Sequence, residues 1–409
     1  MALTVISGVV PRTSLETSRE KLNIMDRIFL LAPTKHPATL VTQAIRRFRS
    51  DNVMFSWYNK KTVPYEFTIN GAVSSTSEAT LVLDSTAGLV EGDILENRTA
   101  TSHEHYLIYD VTSATDLEVI RNYGSGEGWT TRAQYIGDND VLWRIGNAYE
   151  QDWPIVDIVS TQEDLTTNYC QMFRTAMGMS HEVIDSALHG EPQWPLEQRA
   201  KILEHHLGPE MSFFFGLPYV GDKGLGSGTH TSGDLPATTG GINNFLIENG
   251  NSDILIDDDD MSMFEFMDHL EALFDKGSGE KVCYCPPLLR TGLEKWGIVK
   301  QQTFSRDERM GVPINTWDSA HGIVHFITHE LMKAPSTSTY SYSFFVDYGQ
   351  DQIGLVEFGR YGLGTLGPVL GYKERNGATG DKQEILSQVG ARFGCMDLHG
   401  RLRFKTVSV

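Results

Sequence analysis

The chain has 409 residues, of which 40% are hydrophobic and 10% aromatic, and its formal net charge at pH 7 is −19. A chain of this length is too long for one simple core, so we expect two or more lobes. It contains no run of about 18 apolar residues, and Met1 to Val10 lacks a cleavable signal pattern. These features argue against a membrane-spanning or secreted protein. The four cysteines form no CxxC pair, which favours reduced structural thiols.

The charge is unevenly distributed. Residues 1–61 hold ten Lys or Arg against four Asp or Glu, a balance of +6, whereas the rest of the chain holds 24 against 49. A basic segment on an acidic body suggests that the segment lies on another copy of that body or faces nucleic acid. A solvated accident of composition stays open, because charge alone does not exclude it.

The first 50 residues are predicted to form an arm. Residues 1–20 show no periodic pattern, and a short amphipathic helix is predicted from Lys21 to Leu31 because Pro33 and Pro37 follow it. A basic cluster follows, formed by Arg46, Arg47 and Arg49. The aromatic stretch from Asn52 to Tyr58 is typical of a strand.

Residues 66–142 change character and predict a small β domain inserted into the rest. Short strand candidates alternate there with turn formers such as Asn70-Gly71 and Gly124-Ser125-Gly126. The flanking strand candidates, Asn52–Tyr58 and Val141–Ile145, are predicted to pair as the two legs of one hairpin.

The longest predicted element is a spine helix from Pro195 to Gly216. Its apolar residues step by three or four and form one stripe: Leu196, Ala200, Leu203, Leu207, Met211 and Phe214. The stripe stays in phase across Gly208-Pro209, so we expect one helix with a bend at the proline. Such a helix needs a sheet or a partner to cover its apolar face, and Leu203 is therefore predicted to be buried against a sheet.

Further elements are predicted on both sides of the spine helix. Asn168 to Phe173, before it, is predicted to be a strand, and Asp257 to Asp260 are predicted to cap a following helix. Strands are expected at Val282–Cys285, Ile323–Thr328 and in the segment from Ser387 to the C-terminus.

Candidate chemical sites are weak in this sequence. His321, His325 and His329 recur every four residues, but Gly, Ile, Val, Phe and Thr between them favour a strand. That spacing separates successive imidazoles by about 13 Å, which excludes a shared metal within the strand. Gly224, Gly226 and Gly228 lack the strand-to-helix context of a phosphate-binding loop. We predict no catalytic residues, no metal site and no cofactor.

Several stretches resemble the HK97-like major capsid proteins of tailed bacteriophages. They are Ala32-Pro33 with Pro37, Phe55-Ser56-Trp57, Asn168-Tyr169-Cys170-Gln171 with Met179-Ser180, and Gly240-Gly241-Ile242. The order of elements is similar as well, and together the stretches cover most of the chain. The Gly208-Pro209 pair and the β insertion depart from the family pattern.

This resemblance implies an α+β, HK97-like capsid fold with an inserted small β domain. The implied parts are an N-terminal arm (1–50), an extended loop region (51–178) with the β domain at 66–142, a peripheral domain with the spine helix (179–255), an axial domain (256–375), and strands returning to the peripheral domain (376–409).

The resemblance also implies a function. Copies would self-assemble as hexameric and pentameric capsomers into an icosahedral shell around phage DNA, bound without sequence specificity. Portal, scaffold and possible decoration proteins would be separate chains, and assembly would take place in the host bacterial cytoplasm. We predict inter-subunit contacts at Arg46, Arg47, Arg49, Trp57 and Tyr58.

Two alternatives remain open at this stage. One is an acidic hydrolase with paired carboxylates between residues 150 and 190. The other is a virion decoration or receptor-binding protein that uses the β domain as its recognition module.

Overall fold

A computed structural model describes residues 47–99, 103–124, 135–149, 159–186, 192–219, 236–250, 252–300, 305–309, 312–336, 339–349, 352–367, 370–373 and 379–408. The chain divides into two compact units, the first formed by residues 1–57 and 167–409 and the second by residues 58–166. No helix of the described residues is long and apolar enough to cross a membrane.

The strands, in chain order, are β1 (Arg47–Ser50), β2 (Met54–Asn59), β3 (Glu66–Thr68), β4 (Thr80–Val82), β5 (Asp93–Asn97), β6 (His105–Val111), β7 (Asp116–Arg121), β8 (Val141–Asn147), β9 (Asp164–Tyr169), β10 (Gln171–Ser180), β11 (Leu255–Met261), β12 (Glu280–Cys285), β13 (Ser305–Arg309), β14 (Val312–Asp318), β15 (Ile323–Thr328), β16 (Ser341–Val346), β17 (Ile353–Phe358), β18 (Thr365–Leu366), β19 (Leu370–Lys373), β20 (Thr379–Phe393) and β21 (Gly400–Val407). The helices are α1 (His181–Asp185), α2 (Gln193–Phe215), α3 (Ile242–Asn249), α4 (Met263–Phe274) and α5 (Pro287–Lys300). Among the described residues, three short 3-10 helices lie at Ser252–Ile254, Glu330–Met332 and Met396–Leu398. Helices and strands are thus mixed, as the predicted α+β class requires.

The first unit contains two large sheets. One has the strand order β1-β17-β20-β10, with β18 and β19 also paired to β20; the other has the order β11-β21-β16-β12-β15-β14-β13. These sheets do not follow the predicted boundaries at 256–375 and 376–409. Strands β17 to β19 pair with β20 in the first sheet, and the last strand, β21, lies between β11 and β16 in the second. The chain therefore crosses between the two sheets more often than a division into consecutive segments allows.

The predicted spine helix is confirmed as α2, which continues through Pro209. The predicted side of burial is wrong for most of its length. The helix buries His205, Pro209, Glu210, Phe213 and Phe214, whereas Leu203 is only half-buried. The strands beneath α2 carry hydroxyl and amide side chains. Polar residues of the helix form hydrogen bonds with these side chains, and the aliphatic stripe lies to one side of this contact.

Three hydrogen bonds show how α2 is held on the first sheet. His205 bonds through Nε2 to Ser387 Oγ of β20 at 2.7 Å and through Nδ1 to Thr175 Oγ1 of β10 at 2.8 Å. Gln198 donates to the Gln383 side chain of β20 at 3.0 Å. Because hydrogen bonds are directional, this face fixes the position of the helix along the strands as well as its distance from them.

The predicted hairpin around the β insertion is wrong. Strand β2 pairs with β9 in a two-stranded sheet, and β8 pairs with β3 and β5. Leu142 of β8 is fully buried among the apolar residues of the second unit. Strand β8 therefore belongs to the inserted domain, and the flanking pair forms between β2 and a later segment. The strand predicted from Asn168 to Phe173 is divided between the end of β9 and the start of β10.

The second unit is a small closed barrel. Its sheet runs β3-β8-β5-β6-β7-β4, and the two end strands meet through the bridge between Ile69 and Leu83. The Asp84 amide donates to the Thr68 carbonyl at 3.0 Å across the same seam. Closure leaves no open sheet edge along this seam, which is one way in which β proteins avoid edge-to-edge association. Gly92 has φ +87°, and a Cβ there would overlap the Tyr149 ring, so glycine is required at this turn.

The predicted aspartate cap is also wrong. Asp257 to Asp260 lie within strand β11, which pairs in parallel with β21. The following helix, α4, begins later and is capped by Ser262, whose backbone N–H donates to Glu265 Oε2 at 2.7 Å, while its Oγ accepts from the Glu265 amide at 3.4 Å. This reciprocal pair is a capping box. The cations on β21 provide the partners that make an aspartate-rich strand possible.

Candidate assembly surfaces

The basic cluster lies at one edge of the first sheet. Strand β1 pairs in parallel with β17, and Arg47 approaches Glu357 Oε1 at 3.5 Å while 52% of its side chain stays exposed. Arg49, also exposed, donates to the Gly359 carbonyl at 3.4 Å. Arg47 and Arg49 are two residues apart on a strand, so both guanidinium groups lie on the same face. Both retain hydrogen-bond donors for a further partner. Arg46 lies outside the described residues.

The two aromatic residues of the predicted contact set have opposite environments. Trp57 is buried in the core of the first unit, where its ring lies 6.0 Å from Phe55 and 5.9 Å from Phe245, measured between centroids. Tyr58, the next residue on the strand, is 68% exposed. Alternation along β2 points neighbouring side chains to opposite faces. Tyr58 is therefore available to a neighbour, and Trp57 has little surface left for one.

A buried polar pair joins the spine helix to the second sheet. Glu210 of α2 and His329, which follows β15, are both fully buried, and Glu210 Oε1 lies 2.9 Å from His329 Nε2. The His329 amide donates to the Cys285 carbonyl of β12 at 2.8 Å. A carboxylate in such surroundings is very costly unless paired. The pair therefore ties the orientation of α2 to that of the seven-stranded sheet.

Aromatic packing surrounds this pair. The Phe214 ring lies 5.4 Å from the rings of Tyr284, His329 and Phe344, measured between centroids. Tyr284 and Tyr348 share a hydrogen bond of 2.6 Å between their hydroxyls, and burial raises the pKa of Tyr284. A small apolar cavity of about 30 Å³ lies beside them. Sequence reasoning missed this junction, because nothing in a helix pattern separates a buried Glu210 from an exposed glutamate.

The three spaced histidines lie in three different environments. His325, on β15, bonds to Thr316 Oγ1 at 3.1 Å; His329 pairs with Glu210; and His321 lies exposed before the strand. In the part of the chain that the structure describes, no three His, Cys, Asp or Glu side chains lie close enough to hold a metal ion. That no metal is needed stays a prediction. The glycines at 224, 226 and 228 lie outside the described residues.

Strand β11 carries the strongest concentration of acidic side chains, and β21 supplies its partners. Asp257 accepts from Arg401 at 3.2 Å and from Arg403 at 2.6 Å, and Asp259 lies 2.7 Å from Lys405. Burial, opposed by backbone hydrogen bonds, raises the pKa of Asp258. The acidic strand is thus largely paired within its own chain and resembles a protected sheet edge more than an ion-binding loop.

Comparison with known proteins agrees with a shell-forming protein. The family model described as SU10 major capsid protein matches residues 10–406, which is nearly the whole chain. No curated protein matches the chain by sequence.

Several solved structures are similar in overall course. The capsid of a native GTA particle is 11% identical with a TM-score of 0.44, covering 96% of this chain and 97% of that one. A structure from Mycobacterium phage Adephagia is 8% identical with a TM-score of 0.43, covering 98% and 99%. The SrpI encapsulin of Synechococcus elongatus PCC 7942 is 11% identical with a TM-score of 0.38, covering 60% and 77%. At such low identities and TM-scores, membership rests on the family match. The predicted family of phage major capsid proteins is confirmed, and the chain belongs to the SU10 major capsid protein family.

Proposed function

We propose that copies of this chain close into an icosahedral head that encloses double-stranded phage DNA without reading its sequence. The observation that carries the proposal is the family match across residues 10–406. The copies form hexameric and pentameric capsomers, and their role is geometric and involves no catalysis. Portal, scaffold and decoration proteins are separate chains, and assembly takes place in the cytoplasm of the bacterial host.

The regions of the chain have distinct roles in this proposal. Residues 1–50 form the arm, and residues 51–178 form the extended loop region, with the barrel as its inserted domain. The spine helix and its sheet form the peripheral domain, and the seven-stranded sheet is the core of the axial domain. The buried Glu210–His329 pair supports this picture, because it joins the spine helix to the seven-stranded sheet within one subunit at 2.9 Å.

Exposed groups on β1 and β2 support a contact between subunits. Arg47, Arg49 and Tyr58 are exposed and adjoin the N-terminal arm, whereas most of the chain is acidic. Arginine pairs bidentately with carboxylates, which fixes register as well as adding attraction. We assign these residues, together with Arg46, to the contact with a neighbouring subunit.

Electron microscopy of the purified, expressed chain tests the proposal. Closed shells of uniform diameter are expected. A protein that stays monomeric or trimeric at every concentration would contradict it and would favour a decoration protein. The charge-reversed variant Arg47→Glu with Arg49→Glu should keep its fold and lose assembly, whereas Lys60→Glu with Lys61→Glu serves as a charge-matched control nearby.

A further inference from the structure

The barrel carries a row of aliphatic side chains on its outer surface. Ile94 of β5 lies directly opposite Leu107 of β6, and Leu107 lies opposite Ile120 of β7. On the other side of Ile94, a bulge in the pairing of β5 with β8 places Ile145 next to it. We call Ile145, Ile94, Leu107 and Ile120 the outer apolar row.

The row faces away from the interior of the barrel. Ile145 is 52% and Ile120 48% exposed, and Ile94 and Leu107 are partly buried between them. The barrel has a separate core on its inner face, which includes Leu95, Ile108 and Leu117. Four aliphatic neighbours on the solvent face of one sheet form a continuous patch, of the kind that marks an interaction site.

An open cleft extends the row at its β8 end. It has a volume of about 280 Å³ and is lined by Val63, Tyr65, Arg144, Ile145, Gly146 and Asn147. Tyr65 is 68% exposed at its rim. The cleft has room for one or two side chains of an extended or helical segment, and the row continues the contact across three further strands.

Charge restricts what can occupy this surface. Residues 58–166 hold six Lys or Arg against 18 Asp or Glu, a net charge of −12, and exposed Glu118 lies on the same face of β7 as Ile120. Two barrels would therefore repel each other. Residues 1–46 hold six Lys or Arg against three Asp or Glu, a net charge of +3, and their stretch Lys21–Leu31 combines basic with large apolar side chains.

We propose that the outer apolar row and its cleft bind residues 1–46 of a second copy of this chain. The inference rests on the proposed shell function, in which copies lie side by side. Apolar side chains of Lys21–Leu31 cover the row, and the basic residues of the segment face the surrounding carboxylates. Fully extended, a segment of 46 residues reaches about 150 Å.

A photo-cross-linking residue placed at position 120 of the full chain tests the docking directly. Shells are assembled from a mixture of isotopically light chains that carry the probe and heavy chains that do not. Adducts that join the barrel of a light chain to residues 1–46 of a heavy chain are expected. Adducts only to other segments, only within one chain, or none at all would overturn the proposal. The same probe at position 82 is the control, because Val82 is 38% exposed on β4 and lies opposite Asp116, at the other end of β7 from Ile120.

Substitutions separate this inference from the shell function. Ile120→Ser with Ile145→Ser, introduced beside a probe at Leu107, should remove most of the adduct to residues 1–46, whereas Val82→Ser should leave it. An unchanged adduct in the double variant would overturn the docking. If the unsubstituted chain forms no shells, the shell function itself fails; if it forms shells without the adduct, only the docking fails.

Discussion

The barrel and the first unit bury polar groups in different ways. In the barrel, Glu104 accepts from Arg121 at 2.7 and 2.9 Å, and the Tyr106 hydroxyl donates to Glu104 at 3.1 Å, all within two neighbouring strands and the segment just before them. In the first unit, Glu210 and His329 are 119 residues apart and join a helix to a separate sheet. The buried ion pairs described in the barrel join neighbouring parts of one small sheet and span at most about half the separation of the Glu210–His329 pair, as in Arg144–Asp93, which are 51 residues apart. The pair in the first unit joins separate elements, so damage to it should have the larger effect.

Removing Glu210 is expected to have the largest effect. Glu210→Ala leaves the buried His329 Nε2 without its partner, and loss of one member of a buried pair typically costs about 3–5 kcal/mol. Urea unfolding of the unassembled subunit measures this as a lower free energy of unfolding. Glu204→Ala is the matched control, since Glu204 is exposed and pairs with Lys201 on the same helix; it should change the free energy by less than about 1 kcal/mol. A loss for Glu210→Ala no larger than the control would contradict a structural role for the pair.

Acidification is expected to have the second-largest effect, and it should lower mainly the stability of the first unit. Burial lowers the pKa of His205 and His269 to about 4 and that of His399 to about 3, and neither ring nitrogen of His269 has a hydrogen-bond partner among the described residues. These groups are neutral in the fold and gain a proton more readily when unfolded. The stability that these neutral histidines contribute is therefore fully present above the ordinary pKa of 6.5. It is lost as the pH falls from there through about 4.

The size of the acid effect can be measured on one residue. For His269, the loss in free energy of unfolding is on the order of 3 kcal/mol by pH 4. His269→Phe should reduce the fall in melting temperature between pH 7 and pH 4. The two described histidines of the barrel, His103 and His105, are not buried and should contribute little. Equal acid sensitivity of His269→Phe and the unsubstituted chain would contradict this account.

Weakening the helix–sheet hydrogen bonds should have a moderate effect. Ser387 Oγ accepts from the Gly364 amide at 2.7 Å and bonds to His205 Nε2 at 2.7 Å. Ser387→Ala leaves the buried His205 Nε2 and the part-buried Gly364 amide without this partner, at a cost of about 1–3 kcal/mol. Ser56→Ala, at an exposed strand position, is the control and should cost less. Chemical denaturation of both variants decides the point, and equal losses would remove the special role of Ser387.

The smallest effect is expected at the aliphatic stripe of α2. Leu203 is half-buried, so Leu203→Ala should cost less than the about 2–5 kcal/mol typical of fully buried leucines. Leu270→Ala in α4, where the leucine is fully buried, provides the comparison. If Leu203→Ala proves as costly as Leu270→Ala, the side of α2 that faces the sheet has been assigned incorrectly.

These contrasts show how far the sequence could predict the fold. The length and position of α2 follow from its periodicity, and the barrel strands β3, β4, β6 and β7 follow from alternation and turn residues. Strand β5 is not predicted, and the sequence assigns β8 to a hairpin outside the barrel. The buried side of α2 could not be predicted. Burial of His205 and Glu210 is favourable only because Ser387, Thr175 and His329, which are distant in sequence, supply hydrogen-bond partners.

The same limit explains the other errors. Asp257 to Asp260 suit a helix start by local chemistry, and only the parallel pairing with the cations of β21 makes them a strand. Of the predicted contact residues, Arg47, Arg49 and Tyr58 are exposed as an interface requires, but the burial of Trp57 depends on Phe245, which no local pattern indicates. The errors therefore lie where the environment of a residue depends on partners that are distant in sequence.

Hydrogen–deuterium exchange on the full, unassembled chain at pH 7 and pH 4.5, corrected for the intrinsic rate, tests the contrast between the two units most directly. We predict that the barrel strands β5 to β8 keep their protection at the lower pH, whereas α2, α4 and the strands next to Ser387 and His399 lose theirs. Simultaneous loss of protection in both units, or earlier loss in the barrel, would contradict it.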